Sequence, residues 1–350
     1  MNIGIPKEIK PLEGRVALTP EACAELAALG HAVLVETGAG EAAGYEDARY
    51  AERGASIVAD AETLYRQAEM IVKVKEPVGP ELKWLRPDHK LFSFLHLAAN
   101  RELACLLMKR GLSAWAYETL RIDGRTPVLE PMSEAAGRIA AQVGTNLLHR
   151  DRGGKGVLLG GVAGSEKGRV LVIGAGAVGL AAARVAAAMG ARVTVLDIDA
   201  SRIERLAGEL PAIRFDLSSA EAIDERMPEV DLLVGAVMVA GRRAPVVVTR
   251  EQVARMAPGS VIVDVAIDQG GCVETSVATT WEEPVYRREG VLHFSVTNMP
   301  GAVPRTASQA LSARLAPFLK EYLENGGELH GALNVRAGEI VNPAVAAEFG

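Results

Sequence analysis

The glycine-rich segment at 169–190, "RVLVIGAGAVGLAAARVAAAMG", constrains the fold of this 350-residue chain more than any other feature. It sets Gly174, Gly176 and Gly179 between a run of aliphatic residues and an alanine-rich helical pattern. A strand, a GxGxxG turn and a helix in this order are typical of a Rossmann dinucleotide site. Gly174 permits a tight turn, Gly176 lets the backbone approach a pyrophosphate, and Gly179 allows close helix-strand packing. A purely structural turn is the alternative interpretation.

Asp197 ends the next strand pattern, "ARVTVLD", about 20 residues after the glycine turn. A carboxylate at this position accepts hydrogen bonds from both ribose hydroxyls and repels the 2′-phosphate of NADP. The sequence therefore predicts NAD as the cofactor. Arg202, in the following segment, weakens this repulsion, so we expect preference for NAD and not exclusivity. A solvated aspartate at a strand end is the alternative.

Short β-rich runs alternate with helical patterns along the whole chain, as in "HAVLVETG", "MIVKVKEP" and "GSVIVDVAI". This alternation predicts an α/β fold with two Rossmann-like domains and mostly parallel sheets. Two long helical patterns, "SEAAGRIAAQVGTNLLHR" and "TASQALSARLAPFLKEYLENGG", bracket the second series of strands. We therefore expect an NAD-binding domain at 128–303, inserted into a discontinuous substrate domain at 1–127 and 304–350.

The composition argues against several classes of partner. A net charge of -6 gives no electrostatic reason to expect nucleic acid or an anionic membrane surface. The three cysteines form no CxxC pair and the six histidines no i, i+4 pair, so we expect neither a disulfide framework nor a metal site. We find no signal-peptide pattern and no apolar span. We expect a cytoplasmic protein with small-molecule partners.

Four polar side chains lie at or beyond the carboxyl ends of predicted strands, where parallel α/β sheets bind ligands. Arg15 follows the first strand, Lys75 closes "MIVKVK", His96 closes "KLFSFLHL", and Asp268 follows "SVIVDVAI". Each has an alternative interpretation: a surface cation for the first two, a core histidine or metal ligand for His96, and a loop cap for Asp268. Together they supply what oxidation of a small amino acid beside a nicotinamide requires: a clamp for its carboxylate, a group that takes and returns protons, and a second group that manages water and charge.

The sequence also resembles the family of alanine dehydrogenases, which includes the NAD-binding subunit of proton-translocating transhydrogenases. The resemblance covers nearly the whole chain and rests on "GIPKEIKPLEGRVALTP", "VKVKEP", "LHLAANREL", "PMSEAAGR", "GKGVLLGGV", "VIGAGAVG", "VIVDVAIDQGGCVET" and "NMPGAVPRT". It implies an enzyme that uses NAD to convert L-alanine reversibly to pyruvate and ammonia by hydride transfer from the α carbon. It also implies a homohexamer joined largely through the NAD domains.

The resemblance implies a role for single residues. Arg15 and Lys75 match the residues that hold the substrate carboxylate and carbonyl, His96 matches the catalytic acid/base, and Asp268 matches the catalytic carboxylate. Besides the three glycines, the family's NAD contacts fall on Ser133, Ala177, Val178, Asp197, Arg202, Ser218, Val237, Met238, Ile267, Asp268, Asn298 and Met299.

Three positions depart from the family pattern. Asn100 stands where Asp is expected after "LHLAA", "VMVAGRRAP" at 237–245 replaces the usual "VLVPGAKAP", and Thr297 precedes "NMPG" where Ala is usual. None removes a proposed catalytic residue. The last two border the implied cofactor site, so we expect them to affect cofactor affinity.

Two other functions compete with a dehydrogenase. One is a transhydrogenase-type subunit that binds NAD and works only beside a membrane partner, and the other is a non-catalytic NAD sensor. The complete set of Arg15, Lys75, His96 and Asp268 argues against both. Amine attack and collapse of the carbinolamine need a group that titrates near neutrality, and the histidine pKa of about 6.5 suits that task.

Overall fold

The computed structural model describes residues 1–238, 243–327 and 329–349, and the chain forms two compact units. Unit 1 comprises Met1–Met132 and Pro300–Gly350, and unit 2 comprises Ser133–Met299. The chain therefore leaves unit 1, forms unit 2 and then returns to unit 1. The corresponding limits predicted from the sequence are 127/128 and 303/304.

Strands and helices alternate along the described residues. The strands are β1 (Asn2–Ile5), β2 (Ala32–Glu36), β3 (Ser56–Val58), β4 (Met70–Lys75), β5 (Lys90–Phe94), β6 (Ser113–Ala116), β7 (Arg169–Ile173), β8 (Arg192–Asp197), β9 (Arg214–Leu217), β10 (Leu232–Gly235), β11 (Val261–Asp264), β12 (Val285–Arg288), β13 (Val291–Phe294), β14 (Leu333–Arg336) and β15 (Glu339–Ile340). The helices are α1 (Pro20–Ala28), α2 (Asp47–Glu52), α3 (Ala61–Gln67), α4 (Glu81–Trp84), α5 (Arg101–Arg110), α6 (Glu130–Leu147), α7 (Ala177–Ala188), α8 (Ala200–Glu209), α9 (Ala220–Arg226), α10 (Arg250–Val253), α11 (Pro304–Asn325) and α12 (Pro343–Ala346).

Unit 1 contains an eight-stranded sheet in the order β15-β14-β6-β5-β4-β1-β2-β3. The strands from β6 to β3 are all parallel, whereas β14 pairs antiparallel with β6 and with β15. Residues 70–74 of β4 are all buried, as expected for a parallel strand covered on both faces. On one face the Phe92 and Trp115 rings stack 4.8 Å apart and both contact Tyr322 of α11. The returning helix α11 thereby becomes part of the unit 1 core.

Unit 2 contains a seven-stranded sheet in the order β12-β13-β11-β10-β7-β8-β9. All pairs are parallel except that between β12 and β13. The strand order reverses direction between β7 and β10, and such a switch point opens a crevice at the carboxyl ends of the strands. This topology confirms the predicted α/β class with two Rossmann-like units.

Helix starts follow local side-chain chemistry. Asp60, Asp199 and Ser219 cap α3, α8 and α9 by accepting a hydrogen bond from a first-turn N–H. Thr249 and Gln252 form a reciprocal capping box at α10.

In the described part of the chain, no helix is both long and apolar enough to cross a membrane.

Candidate functional site

The glycine turn between β7 and α7 leaves space beside one glycine and none beside the other two. Gly174 has a φ of 103°, and a Cβ there would lie 2.6 Å from the Ala236 carbonyl oxygen. A Cβ on Gly179 would lie 1.8 Å from the Gly174 carbonyl oxygen. Gly176 is exposed, and no described atom lies within 4 Å of an added Cβ. The fold itself requires Gly174 and Gly179, whereas Gly176 keeps the space in front of the helix open.

The N-terminus of α7 presents N–H groups to this space. Gly176 is the N-cap, and Ala177 and Val178 form the start of the first turn. Among the described residues no side chain caps this end, and the first turn contains no acidic residue. Unpaired first-turn N–H groups and the positive end of the helix dipole bind phosphate groups. This end of α7 therefore fits the pyrophosphate of a dinucleotide.

Asp197, at the end of β8, is tied to the glycine turn. Its Oδ2 accepts a hydrogen bond from the Ala175 N–H at 2.6 Å, and its Oδ1 accepts one from the Asp199 N–H at 2.9 Å. Arg202 Nη1 lies 3.4 Å from Oδ2. A carboxylate has about four lone-pair sites, so Asp197 can hold the turn and still accept a hydrogen bond from a ribose hydroxyl.

The other predicted cofactor residues lie in unit 2, mostly beyond strand ends. The Ser218 N–H donates to the Asp197 carbonyl oxygen at 2.8 Å, which continues the pairing of β8 with β9 by one hydrogen bond. The rest are Ser133 in α6, Val237 and Met238 after β10, Ile267 in a 3-10 turn after β11, and Asn298 and Met299 after β13. Apart from Ser133, these residues follow the carboxyl ends of strands in one sheet.

The three departures from the family pattern differ in what the structure shows. Asn100 is the N-cap of α5, and its Oδ1 accepts a hydrogen bond from the Leu103 N–H at 3.1 Å. Since Asn and Asp cap helices about equally well, this replacement preserves the helix start. Thr297 is exposed, and its N–H donates to the Thr279 carbonyl oxygen at 3.3 Å. In "VMVAGRRAP", residues 239–242 lie outside the described residues.

Asp268, the predicted catalytic carboxylate, is exposed in the 3-10 turn Val265–Gln269. Its Oδ1 accepts a hydrogen bond from the Asn298 N–H at 3.0 Å. Asn298 has a φ of 57°, a left-handed conformation that Asn tolerates better than most residues. Asp268 therefore links the turn after β11 to the turn after β13.

A second carboxylate, Asp264, holds the turn that carries Asp268, and the sequence analysis missed it. Asp264 is fully buried and accepts hydrogen bonds from the N–H groups of Ala266, Cys272 and Val273 at 3.0–3.1 Å. Burial raises the pKa of Asp264 above its usual value, although the hydrogen bonds from Val273 and Cys272 oppose the shift. The available signal was a lone aspartate within the apolar run "VIVDVAI", because a buried carboxylate needs several donors.

Arg15 lies in the loop between β1 and α1 and is buried against Glu13. Arg15 Nε and Nη2 donate to Glu13 Oε1 and Oε2 at 2.7 and 2.5 Å. Nη1 lies 3.2 Å from the sulfur of Met132. This bidentate pair fixes the plane of the guanidinium. Glu13, only two residues earlier in the chain, was not singled out from the sequence.

Lys75 ends β4 and is half-buried. The pairing of β4 with β5 shifts register between Val72 and Lys75, and such an irregularity re-aims side chains. Glu8 Oε1 accepts hydrogen bonds from the N–H groups of Val74 and Lys75 at 2.6 and 3.3 Å. A regular two-residue alternation along β4 would place Lys73 and Lys75 on one side of the sheet, and this irregularity interrupts it.

Lys73 is buried in a network of charges beneath the end of β4. It forms an ion pair with Glu81, and its Nζ lies 3.6 Å from Glu8 Oε2. Tyr65 donates its hydroxyl proton to Glu81 Oε1 at 3.0 Å. Burial raises the pKa of Glu8 to about 7, against the opposing charge of Lys73. Because Lys73 is buried between two carboxylates, its substitution should affect the stability of the fold.

His96 is exposed in a turn two residues beyond β5. Its φ is 50°, a conformation that costs a non-glycine residue on the order of 1–3 kcal/mol. Its N–H donates to Glu118 Oε1 at 2.6 Å, and its carbonyl oxygen accepts from the Ala99 N–H at 2.9 Å. The imidazole lies nearly parallel to the Phe94 ring, with centroids 6.1 Å apart. His96 is therefore not a core histidine.

In unit 1, Arg15, Lys75 and His96 all lie at or beyond the carboxyl ends of neighbouring strands. β1 pairs parallel with β4, and β4 pairs parallel with β5, so the three residues follow the same ends of neighbouring strands. Asp268 lies beyond the carboxyl ends of the strands of the unit 2 sheet, together with most of the predicted cofactor residues. Within the described ranges, no group of three or more His, Cys, Asp or Glu side chains is arranged to hold a metal ion.

Comparisons with known proteins match the chain over its length. The family described as "Alanine dehydrogenase/PNT, N-terminal domain" matches residues 4–136, and its C-terminal counterpart matches residues 140–343. An alanine dehydrogenase of Bacillus subtilis (strain 168) is 46% identical over all of this chain and 95% of that protein. A solved L-alanine dehydrogenase is 45% identical, with a TM-score of 0.95 over 100% of this chain and 99% of the other. A transhydrogenase from Sinorhizobium meliloti is 29% identical, with a TM-score of 0.86 over 98% of this chain and 100% of the other.

The two glycines of the turn should respond differently to a single methyl group. Gly179→Ala should lower the free energy of unfolding by about 3 kcal/mol, because its Cβ meets a carbonyl oxygen. Gly176→Ala should fold normally but weaken NADH binding at least about tenfold, since its methyl group enters the ligand space. Urea unfolding and calorimetric titration with NADH measure the two effects. Normal NADH affinity in folded Gly176→Ala would show that the space does not hold a dinucleotide.

Substitution of Lys73 should destabilise the protein much more than substitution of Lys75. Lys73→Ala leaves a buried carboxylate without its cation, so unfolding should be easier by about 3–5 kcal/mol. Lys75→Ala, at a half-buried strand end, should change stability by less than about 1 kcal/mol. Urea denaturation of both variants provides the comparison. Equal loss of stability in the two variants would contradict this division.

Glu8 should make stability depend on pH between about 4.5 and about 7. In this window the carboxyl of the unfolded chain ionises while the folded chain keeps it protonated, so the folded state loses relative stability as pH rises. Glu8→Gln removes that loss, and its stability should rise relative to wild type by on the order of 2–3 kcal/mol across the window. Urea unfolding at a series of pH values tests this. Parallel curves for the two proteins would mean that Glu8 does not titrate there.

Proposed function

Because this chain belongs to the alanine dehydrogenase/PNT family, we propose that it catalyses the reversible, NAD-dependent oxidative deamination of L-alanine to pyruvate and ammonia. The observation that carries the proposal is the full-length match to alanine dehydrogenases. Unit 1 also supports the proposal, because two cations and an exposed imidazole lie at or beyond the carboxyl ends of neighbouring strands there. This set suits a small substrate that has a carboxylate and an amine.

Unit 2 is the proposed NAD-binding domain, with the open space at Gly176 for the pyrophosphate and Asp197 for the ribose hydroxyls. Both features fit NAD, since an added Cβ would occupy the first and a 2′-phosphate would be repelled by the second. When bound there, NAD would supply the acceptor for the hydride that leaves the α carbon of alanine. Arg202, 3.4 Å from Asp197, is a cation that makes the preference for NAD less than absolute.

Unit 1 is the proposed substrate domain. Arg15 is the residue proposed, from the family resemblance, to hold the substrate carboxylate. Its bidentate contact with Glu13 fixes the plane of the guanidinium. Lys75 provides a compact charge for the carbonyl oxygen of pyruvate. An ammonium has no preferred plane, so it tolerates the change from a tetrahedral to a planar carbon better than a guanidinium does.

His96 is the proposed acid/base. It takes a proton from the alanine ammonium group, so that an imino acid can form once the α hydrogen has left. His96 passes this proton to solvent, and the neutral imidazole then takes a proton from the water that adds to the imino carbon. It returns that proton to the nitrogen, which leaves as ammonia while the carbinolamine hydroxyl gives its proton to the imidazole and becomes the carbonyl of pyruvate. Asp268 is the proposed second carboxylate, which stabilises the positive charge that develops on the substrate nitrogen.

We also propose a homohexamer in a reducing, cytoplasmic compartment. The hexamer rests on resemblance to the family, and unit 2 exposes large apolar side chains that assembly would bury: Leu158, Val162 and Met189. The compartment rests on Cys23, Cys105 and Cys272, which are all free thiols.

A transhydrogenase-type subunit is the second candidate function, since a transhydrogenase shares the fold. Higher identity to alanine dehydrogenases and the presence of His96, Lys75 and Arg15 favour the dehydrogenase. A non-catalytic NAD sensor is the third. One assay separates the first candidate from the other two, because only a dehydrogenase forms NADH from L-alanine without a partner.

The test measures NADH formation by the purified chain with L-alanine, and NADH loss with pyruvate and ammonium. Wild type should be active in both directions and should prefer NAD to NADP in kcat/KM. His96→Ala should bind NADH normally but turn over about 10²- to 10⁴-fold more slowly, the range for a lost acid/base. Failure of wild type to use L-alanine would refute the activity. Near-normal turnover of His96→Ala would refute the role of His96.

A further inference from the structure

The backbone around His96 is held by a carboxylate from the turn that follows the neighbouring strand β6. Glu118 Oε1 accepts a hydrogen bond from the His96 N–H at 2.6 Å, and Oε2 accepts one from the Leu95 N–H at 3.3 Å. Each oxygen of the Glu118 side chain therefore accepts a hydrogen bond from one of two consecutive N–H groups. These groups lie just past the end of β5, where the strand pairing with β6 no longer supplies acceptors.

Glu118 is itself on a rigid support. It is the middle residue of the 3-10 turn Tyr117–Thr119, which directly follows β6. The buried Tyr117 donates its hydroxyl proton to the Phe92 carbonyl oxygen at 3.0 Å, and Thr119 Oγ1 accepts from Asn334 Nδ2 at 2.7 Å. The turn is thus fixed on both sides of Glu118, so its carboxylate can impose a conformation on the chain that it contacts.

That conformation needs support. His96 has a φ of 50°, which side chains with a Cβ seldom adopt, and its imidazole is exposed. A strained residue keeps its conformation only when its surroundings determine it. Packing holds an exposed ring weakly, so the backbone direction at residue 96 decides where the imidazole points.

We propose that Glu118 is a positioning residue for the reaction, which clamps the Leu95 and His96 amides and thereby directs the His96 imidazole towards the substrate. The catalytic part of this inference rests on the proposed function. Glu118 acts through residue 96 and does not touch the substrate. Its loss should therefore lower kcat while leaving the binding of alanine and NADH nearly unchanged.

The test compares Glu118→Ala and Glu118→Gln with Glu62→Ala, an exposed glutamate of α3, as the control. Hydrogen exchange with residue-level mass spectrometry reports the clamp without any need for activity. Exchange of the two amides in Glu118→Ala should be at least about tenfold faster than in wild type. Glu118→Gln keeps one acceptor oxygen and should be intermediate. Glu62→Ala should match wild type.

Steady-state kinetics on the same variants report the catalytic role. We expect kcat of Glu118→Ala to fall about 10- to 100-fold, with KM for L-alanine and Kd for NADH within about threefold of wild type. In a His96→Ala background the Glu118→Ala change should have no further effect on kcat, because the group through which it acts is gone.

Three results would overturn the proposal: unchanged exchange at both amides, unchanged kcat despite faster exchange, or additive losses in the double variant. If wild type forms no NADH from L-alanine, the proposed function fails and the catalytic part of this inference fails with it. The exchange data would still decide whether Glu118 clamps the turn.

Discussion

Backbone N–H groups beyond the ends of parallel strands need acceptors, and in this protein carboxylates provide them. Asp197 binds the amide of the glycine turn, Asp264 binds three amides of the turn after β11, Glu8 binds two at the end of β4, and Glu118 binds two at the end of β5. A charged acceptor forms a shorter and stronger hydrogen bond than a neutral one. The loops that carry the proposed site are therefore held in part by hydrogen bonds from their backbone amides to carboxyl groups.

In this arrangement, the carboxyl groups that hold the loops differ from the side chains that are proposed to react. Asp264 and Glu8 are buried, whereas His96 and Asp268 are exposed. A buried carboxylate that serves only as an acceptor can be placed without regard to the substrate. Exposed groups can then be oriented through the backbone, so their side chains need few contacts of their own.

Much of the fold and part of the candidate site can be predicted from the sequence. The glycine turn and Asp197 are local: strand, turn, helix and next strand follow one another, so their spacing alone predicts a dinucleotide site. The roles of Glu118 and Asp264 could not be predicted because their partners are backbone amides. Almost every residue has such an amide, so the sequence does not indicate which ones a carboxylate will bind. The burial of Lys73 was missed for another reason, since the partners that surround it come from two other segments and the irregular pairing after Val72 breaks the simple alternation.

The antiparallel pairing of β14 with β6 has a consequence for biosynthesis. The ribosome makes all of unit 2 between these two strands, so β6 remains an open sheet edge until Leu333–Arg336 has emerged. Unit 2 takes its strands from one continuous stretch and can complete its sheet on the nascent chain. Unit 1, although it begins first, finishes last. Premature termination before β14 would thus leave a folded unit 2 beside an unprotected strand, which favours aggregation and engagement by chaperones.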